Sequence, residues 1–176
     1  MAVMTMGRRG REPMSKVDTA WLRMERSTNL MMISGVMMFE SRLDIDRFKR
    51  MLRERFLAYR RFQQKAVDTP AGAYWETDAD FDLDWHVRLT ALPGKGGREE
   101  LQRLVSHLAS TPLDASKPRW QFHIVEKYNG GSALITRIHH CYADGIALIQ
   151  VLLSLTDVKP SPEKHIELAK TWLSED

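Results

Sequence analysis

The chain has 176 residues, enough for one domain with its own core. Its hydrophobic fraction of 43% and charged fraction of 28% are those of an ordinary globular domain, and no run approaches the roughly 20 apolar residues of a membrane span. A net charge of +3 is too small to argue for nucleic acid, and a single cysteine excludes an internal disulfide and fits a reducing cytoplasm.

In chain order, residues 1–13 read as a basic, disordered leader carrying Arg8, Arg9 and Arg11. No apolar segment follows them, so they do not read as a secretory signal. Met14 is a second candidate translation start. Residues 30–39 predict a buried strand in which Met31, Met32, Met37 and Met38 serve either as plain core or as the lining of an acyl pocket, since thioether chains adapt to irregular apolar shapes. Residues 43–62 predict an amphipathic helix with Ile45, Phe48, Met51, Leu52, Phe56 and Tyr59 at helical spacing. Arg42, Arg47, Lys49, Arg50, Arg53, Arg55, Arg60, Arg61 and Lys65 far outnumber the acids of that stretch. Such a run is usually a solvated helix face; it also suits docking onto anionic lipid headgroups or the phosphates of CoA.

Ala71-Gly72 marks a turn, and residues 73–76 a short strand. Residues 85–92 predict a further strand closed by Pro93-Gly94, with His86 in it read as a structural hydrogen-bonder rather than a ligand. Residues 98–110 predict a helix with a buried stripe of Leu101, Leu104, Val105 and Leu108, stopped by Thr111-Pro112. Residues 120–128 alternate as a half-buried strand, Asn129-Gly130-Gly131 suits a tight hairpin turn, and 133–139 is the returning strand. Residues 145–155 predict a buried helix, Lys159-Pro160-Ser161-Pro162 a linker, and 163–173 a short amphipathic helix.

The returning strand ends in His139-His140-Cys141-Tyr142-Ala143-Asp144-Gly145. Successive strand side chains point to opposite faces, so His139 and His140 cannot both enter one cavity. One imidazole faces a reaction site and the other packs into the structure, a geometry that suits a single general base better than a metal cage. Asp144 stands where a carboxylate can accept helix N-terminal N–H groups or pair with an arginine, and Gly145 lets the backbone turn closely under an imidazole. Two other readings are open on the residues alone. The histidines with Asp144 could ligate zinc or iron, and Cys141 could be a nucleophile with His140 as its base. Diverging side chains weigh against the first, and nothing else in the chain supports a thiol enzyme.

The pattern HHxxxDG resembles the active-site motif of CoA-dependent acyltransferases of the chloramphenicol acetyltransferase-like superfamily, which includes condensation domains. Ser15-Lys16-Val17-Asp18 with Trp21-Leu22 and Glu25 resembles the start of the bacterial wax ester synthase/diacylglycerol acyltransferase family. Phe81-Asp82-Leu83-Asp84-Trp85-His86-Val87-Arg88 and Pro112-Leu113-Asp114 resemble further segments of it, as does Pro118-Arg119-Trp120, with Arg119 where the family has leucine. The resemblance covers residues 14–157. It implies an α/β chloramphenicol acetyltransferase-like N-terminal domain, with a mixed β-sheet flanked by helices. It implies His140 as the base, with His139, Asp144 and Gly145 shaping its loop. It further implies acyl-CoA as co-substrate with no metal or resident cofactor, and transfer of a long acyl chain to diacylglycerol or a fatty alcohol. Residues 158–176 would begin an interdomain linker. Closing the site would then require a C-terminal domain or self-association. The expected location is cytoplasmic, with peripheral contact at the inner membrane or lipid inclusions and no nucleic-acid partner. The competing functions are a carrier-dependent condensation-type acyltransferase and a non-catalytic half-protein that binds a lipid surface or a partner.

Overall fold

The computed structural model describes residues 10–142. The helix, linker and terminal helix expected beyond residue 142 lie outside this range. The elements run β1 (Arg11–Pro13), α1 (Lys16–Met24), β2 (Met32–Phe39), α2 (Ile45–Met51), β3 (Gln64–Thr69), β4 (Gly72–Thr77), α3 (Leu83–His86), β5 (Val87–Thr90), α4 (Arg98–Ala109), β6 (Trp120–Tyr128) and β7 (Gly131–His139).

The central sheet has the order β2-β7-β6-β5. It is mixed: β2 and β6 flank β7 antiparallel, while β5 joins β6 parallel through Val87↔Phe122. The β6–β7 hairpin turns at Asn129 (φ 47°) and Gly130 (φ 80°), the two positive angles its tight loop needs. All nine residues of β7 are buried, because strands flank it on both edges and helices cover its faces. One face carries Trp120, Phe122, Ile124, Leu134 and Ile138, packed against Phe48, Leu52, Phe56 and Phe62. Phe56 stacks on Phe62 at 3.9 Å and meets Trp120 edge-on at 4.7 Å, and the Trp120 indole N–H donates to Phe62 O at 2.7 Å. The other face carries Val125, Ala133 and Ile135 beneath Leu101 and Leu108 of α4. The architecture is therefore α/β with a mixed sheet between helices.

Several local expectations change. The helix expected over 43–62 breaks into three pieces: α2, a wide π-type turn over Leu52–Phe56, and a 3₁₀ turn over Arg60–Gln63. The wide turn is closed by Leu57 N–H to Leu52 O at 2.8 Å, and it leaves both Leu52 and Phe56 fully buried. Asp82 caps the backbone N–H of Asp84 at 2.9 Å, so residues 83–86 start as a helical turn and His86 ends a helix instead of lying in a strand. The strand expected to be buried, β2, is an edge of the sheet among the described residues: Met31 is buried and Met37 packs on the core, but Met38 is 68% exposed.

A second sheet, β1-β4-β3, was not anticipated beyond the short strand at 73–76. Part of the segment read as a disordered leader belongs to it. Arg11–Pro13 pairs with β4, Arg11 forms an ion pair with Glu76, and Met14 N–H donates to Ala73 O at 3.0 Å. The open edge of β4 holds this short stretch in place. The small sheet meets the end of β7 through Tyr142, whose hydroxyl donates to Gln64 O at 2.7 Å and whose ring sits edge-on to Trp75 at 4.8 Å.

Candidate active site

The two histidines leave the sheet at the end of β7, where neighbouring strands grip the backbone from both sides. His139 N–H donates to Arg119 O at 3.0 Å, on the β6 side, and His140 N–H donates to Met31 O at 2.8 Å, on the β2 side. Tyr142 N–H returns to His139 O at 3.0 Å and closes the turn. The side chains diverge as the alternation requires: His139 is fully buried and His140 half-buried.

The His139 ring is fixed by its neighbours. Cys141 N–H donates to Nδ1 at 3.1 Å, so Nδ1 is the acceptor and the ring proton resides on Nε2. Nε2 lies 3.1 Å from Glu25 Oε2, close but too far off axis for a full hydrogen bond. Glu25 also pairs with Arg119 at 3.2 Å, with both side chains largely buried. Burial, then the charges of Arg119 and His140, push the His139 pKa down to about 4, so the ring is neutral at pH 7.

The His140 imidazole stacks on the Trp21 indole, with centroids 4.4 Å apart and planes 17° apart. Its Nδ1 is buried without a hydrogen-bond partner, and the residue as a whole is half-buried. A half-buried imidazole held by its backbone and one aromatic face can exchange a proton with a bound hydroxyl. Asp144 and Gly145 lie outside the described residues.

Cys141 is buried, and desolvation pushes its thiol up to about 12, which keeps it protonated and unreactive. His86 is fully buried, donates from Nδ1 to Trp120 O at 2.7 Å and stacks on Trp120 at 4.2 Å. The carbonyl partner makes Nδ1 the donor, and the ring is a structural hydrogen-bonder, as the sequence indicated. Among the described residues no three His, Cys, Asp or Glu side chains converge on one point. His139 Nδ1 is engaged by the Cys141 N–H, and its Nε2 faces the Glu25 carboxylate without a full hydrogen bond.

Behind His139, the same sheet face carries a polar row that periodicity did not reveal. Arg137 is buried and donates to Gln121 Oε1 at 3.2 Å and to Thr111 O. His123 shares that Gln121 oxygen at 3.1 Å, and burial followed by Arg137 and Arg88 lowers its pKa to about 4. His86 is lowered to about 4 chiefly by burial. These three rings are held neutral in the fold but titrate near 6.5 in an unfolded chain, so the unfolded state binds more protons between those values. Stability is accordingly full above about pH 6.5 and declines as pH falls toward 4, by up to about 1.4 kcal/mol per pH unit for each ring. Urea midpoints at pH 7.5, 5.5 and 4.5 should fall in that order, and equal midpoints would refute the neutral-ring assignment.

Trp21, Glu25 and Arg119 enter the site although the sequence marked them only as parts of resembling segments. The signal available for the first two was their spacing, four residues apart on one helix face.

The family model described as the wax ester synthase/diacylglycerol acyltransferase catalytic domain matches residues 14–175. A Mycobacterium tuberculosis protein provisionally named a diacylglycerol O-acyltransferase is 36% identical over 115 residues, covering 63% of this chain and 24% of that protein. A second protein of that organism, also provisionally so named, is 33% identical over 143 residues, covering 76% of this chain and 32% of its own length. Among solved structures, the wax ester synthase/diacylglycerol acyltransferase from Marinobacter aquaeolei VT8 superposes with a TM-score of 0.62 at 26% identity, over 79% of this chain and 37% of that one. A starter condensation domain of rhizomide synthetase in complex with C8-CoA superposes at 0.68 with 12% identity, over 83% and 35% of the two chains, which speaks to fold alone. The chain thus matches about a quarter to a third of the length of these two mycobacterial relatives.

Proposed function

The chain belongs to the wax ester synthase/diacylglycerol acyltransferase family, and from that premise we propose that it carries the general base of an acyl-CoA-dependent O-acyltransferase. The observation that carries this reading is His140: half-buried, pinned at its backbone by Met31 and stacked on Trp21, with its neighbour His139 turned away into a buried ion-pair network. In the proposed reaction the acceptor hydroxyl attacks the thioester carbonyl while His140 takes its proton. Collapse of the tetrahedral adduct breaks the C–S bond, and the imidazolium returns the proton to the departing CoA sulfur. The histidine is regenerated, no covalent enzyme intermediate forms and no resident cofactor enters. Asp144 and Gly145 are proposed to shape the loop after His140.

Diacylglycerol and fatty alcohols are the proposed acceptors, in keeping with the family. A carrier-dependent condensation reaction is less well supported, because the likeness to condensation domains is one of fold. The remaining part of the site is proposed to come from a C-terminal half or from a second copy of the chain. The deciding experiment follows thiol release from palmitoyl-CoA with hexadecanol or diacylglycerol, using the chain alone and with a homologous C-terminal half that is shown to bind. Release in either format that depends on His140 is expected; none in both would move the non-catalytic binding role to the front.

Peripheral contact with a lipid surface is proposed through the basic stretch after β2. Some of its charges are engaged within the fold: Lys49 pairs with Asp84 at 2.9 Å, and Arg61 pairs with Glu12 at 2.6 Å and covers the Trp75 ring. Arg42, Arg50, Arg53 and Arg60 are exposed. No helix among the described residues is long and apolar enough to cross a membrane. Co-sedimentation with phosphatidylglycerol vesicles should weaken about fivefold for each of Arg50→Ala and Arg53→Ala, from roughly 1 kcal/mol per basic residue near such a surface. Binding that is unchanged in the double variant, or insensitive to salt, would refute this surface.

A further inference from the structure

We propose that the N-terminal helix α1 is the positioning element for both histidines of the motif, with Trp21 setting the plane of His140 and Glu25 gripping the Nε2 edge of His139. The inference rests on the proposed role of His140 as base, and it assigns work to two residues outside the HHxxxDG motif.

Trp21 lies inside α1 and Glu25 is its C-terminal cap, four residues on, so both project from the same side. Both ends of the helix are fastened. Ser15 Oγ accepts from Asp18 N–H at 3.0 Å at the start. At the end Arg26 donates to Arg23 O at 2.7 Å and to Glu25 O at 2.8 Å, and Arg26 and Asn29 exchange backbone hydrogen bonds at 3.0 Å each. Leu22, between the two positioning residues, is buried in the main core. A helix anchored at three points can transmit a fixed orientation to what it touches.

Each contact has a distinct chemical consequence. Trp21 lies face to face with His140, so it limits rotation of the imidazole out of the plane in which Nε2 meets a hydroxyl. When His140 accepts a proton, the ring becomes a cation 4.4 Å from the electron-rich indole face, within the range of a favourable cation–π contact. Trp21 therefore sets the orientation that precedes transfer and lies against the cation formed during it. Glu25 acts one residue further back. It bridges Arg119 at 3.2 Å and His139 at 3.1 Å, while His139 N–H is bound to Arg119 O. The backbone from which His140 projects is thus tied to the start of β6 by both main chain and side chain.

The test uses Trp21→Leu, Trp21→Phe, Glu25→Leu and Glu25→Gln in whichever format releases thiol. Trp21 and Glu25 are both only partly buried, so these variants are expected to fold, which circular dichroism verifies. Expected for Trp21→Leu is a fall of about ten- to a hundredfold in kcat with KM changed less than about twofold, the signature of a misplaced reacting group. Trp21→Phe, which retains an aromatic face, recovers most of it. Glu25→Leu falls about tenfold in kcat and Glu25→Gln, which keeps a polar oxygen beside the His139 ring and Arg119, falls less. In proton spectra of the chain labelled at histidine, the His140 ring protons lie upfield under the Trp21 ring current, stay so in Trp21→Phe and lose the shift in Trp21→Leu.

An unshifted His140 ring in the parent chain would overturn the proposal without any assay. So would Trp21→Leu and Glu25→Leu variants that keep the parent kcat while His140→Ala is inactive, an outcome that leaves the base assignment standing. If His140→Ala itself is fully active, the functional reading fails first and the positioning role falls with it.

Discussion

His140→Ala is expected to lower kcat for thiol release by about 10²–10⁴-fold, the usual contribution of a positioned general base, while leaving the urea midpoint close to that of the parent chain. His140 is half-buried and its side chain stacks on Trp21, with Nδ1 unpartnered, so truncation removes little that holds the fold. His139→Ala should do the reverse. It empties a fully buried site, leaves Cys141 N–H without its acceptor and strips Glu25 of a neighbour, a combination that costs about 2–4 kcal/mol. Its kcat would fall only as far as the His140 backbone shifts. Measuring both variants by thiol release and by urea denaturation separates the two roles. If the variants exchange profiles, with His139→Ala stable but inactive, the base has been assigned to the wrong ring.

The divergence of the two side chains, one buried and one half-buried, was legible in the sequence because it follows from the two-residue repeat of a strand. The same holds for β6, β7, their turn and α4, where alternation, an Asn-Gly pair and an apolar stripe each carry their own signal. The break after α2 was not legible, since Phe48, Leu52 and Phe56 keep helical spacing whether the turn that carries them is α or wider. His86 was assigned to a strand because its neighbours are β-formers, and the cap by Asp82 outweighed them locally. Arg11–Pro13 has no apolar pattern at all; the open edge of β4 gives it order, and an edge is a tertiary property. The site divides in the same way. The histidines announce themselves as a motif, but nothing local says that Arg119 supplies a charge to Glu25 across 94 residues of chain.

Gly131→Ala is expected to have the largest effect on stability, and through it on the site. Gly131 opens β7 with β2 drawn against it, and a Cβ there would lie 1.8 Å from Phe39 O and 2.8 Å from the carbonyl carbons of Phe39 and Glu40. Those are backbone atoms, so no side-chain rotation relieves the contact. The strand end must move instead, and with an overlap this close to backbone the cost lies at the upper end of the usual range for overpacking, about 3 kcal/mol. The displacement starts at the far end of β7, eight residues from His139. Yet β2 pairs with β7 along its whole length, from Phe39↔Ser132 to Met32↔His139, and the residue before that last pair, Met31, accepts the His140 N–H. A shift imposed at Phe39 therefore competes with the register that pins His140. The expected result is a lowered urea midpoint together with reduced thiol release, whereas Gly130→Ala, at the turn with open space around it, should cost only the strain of its positive φ, roughly 1 kcal/mol. Equal midpoints for the two variants would mean that β2 does not lie as close to β7 as the structure has it, and the grip on His140 from the Met31 side would have to be abandoned with it.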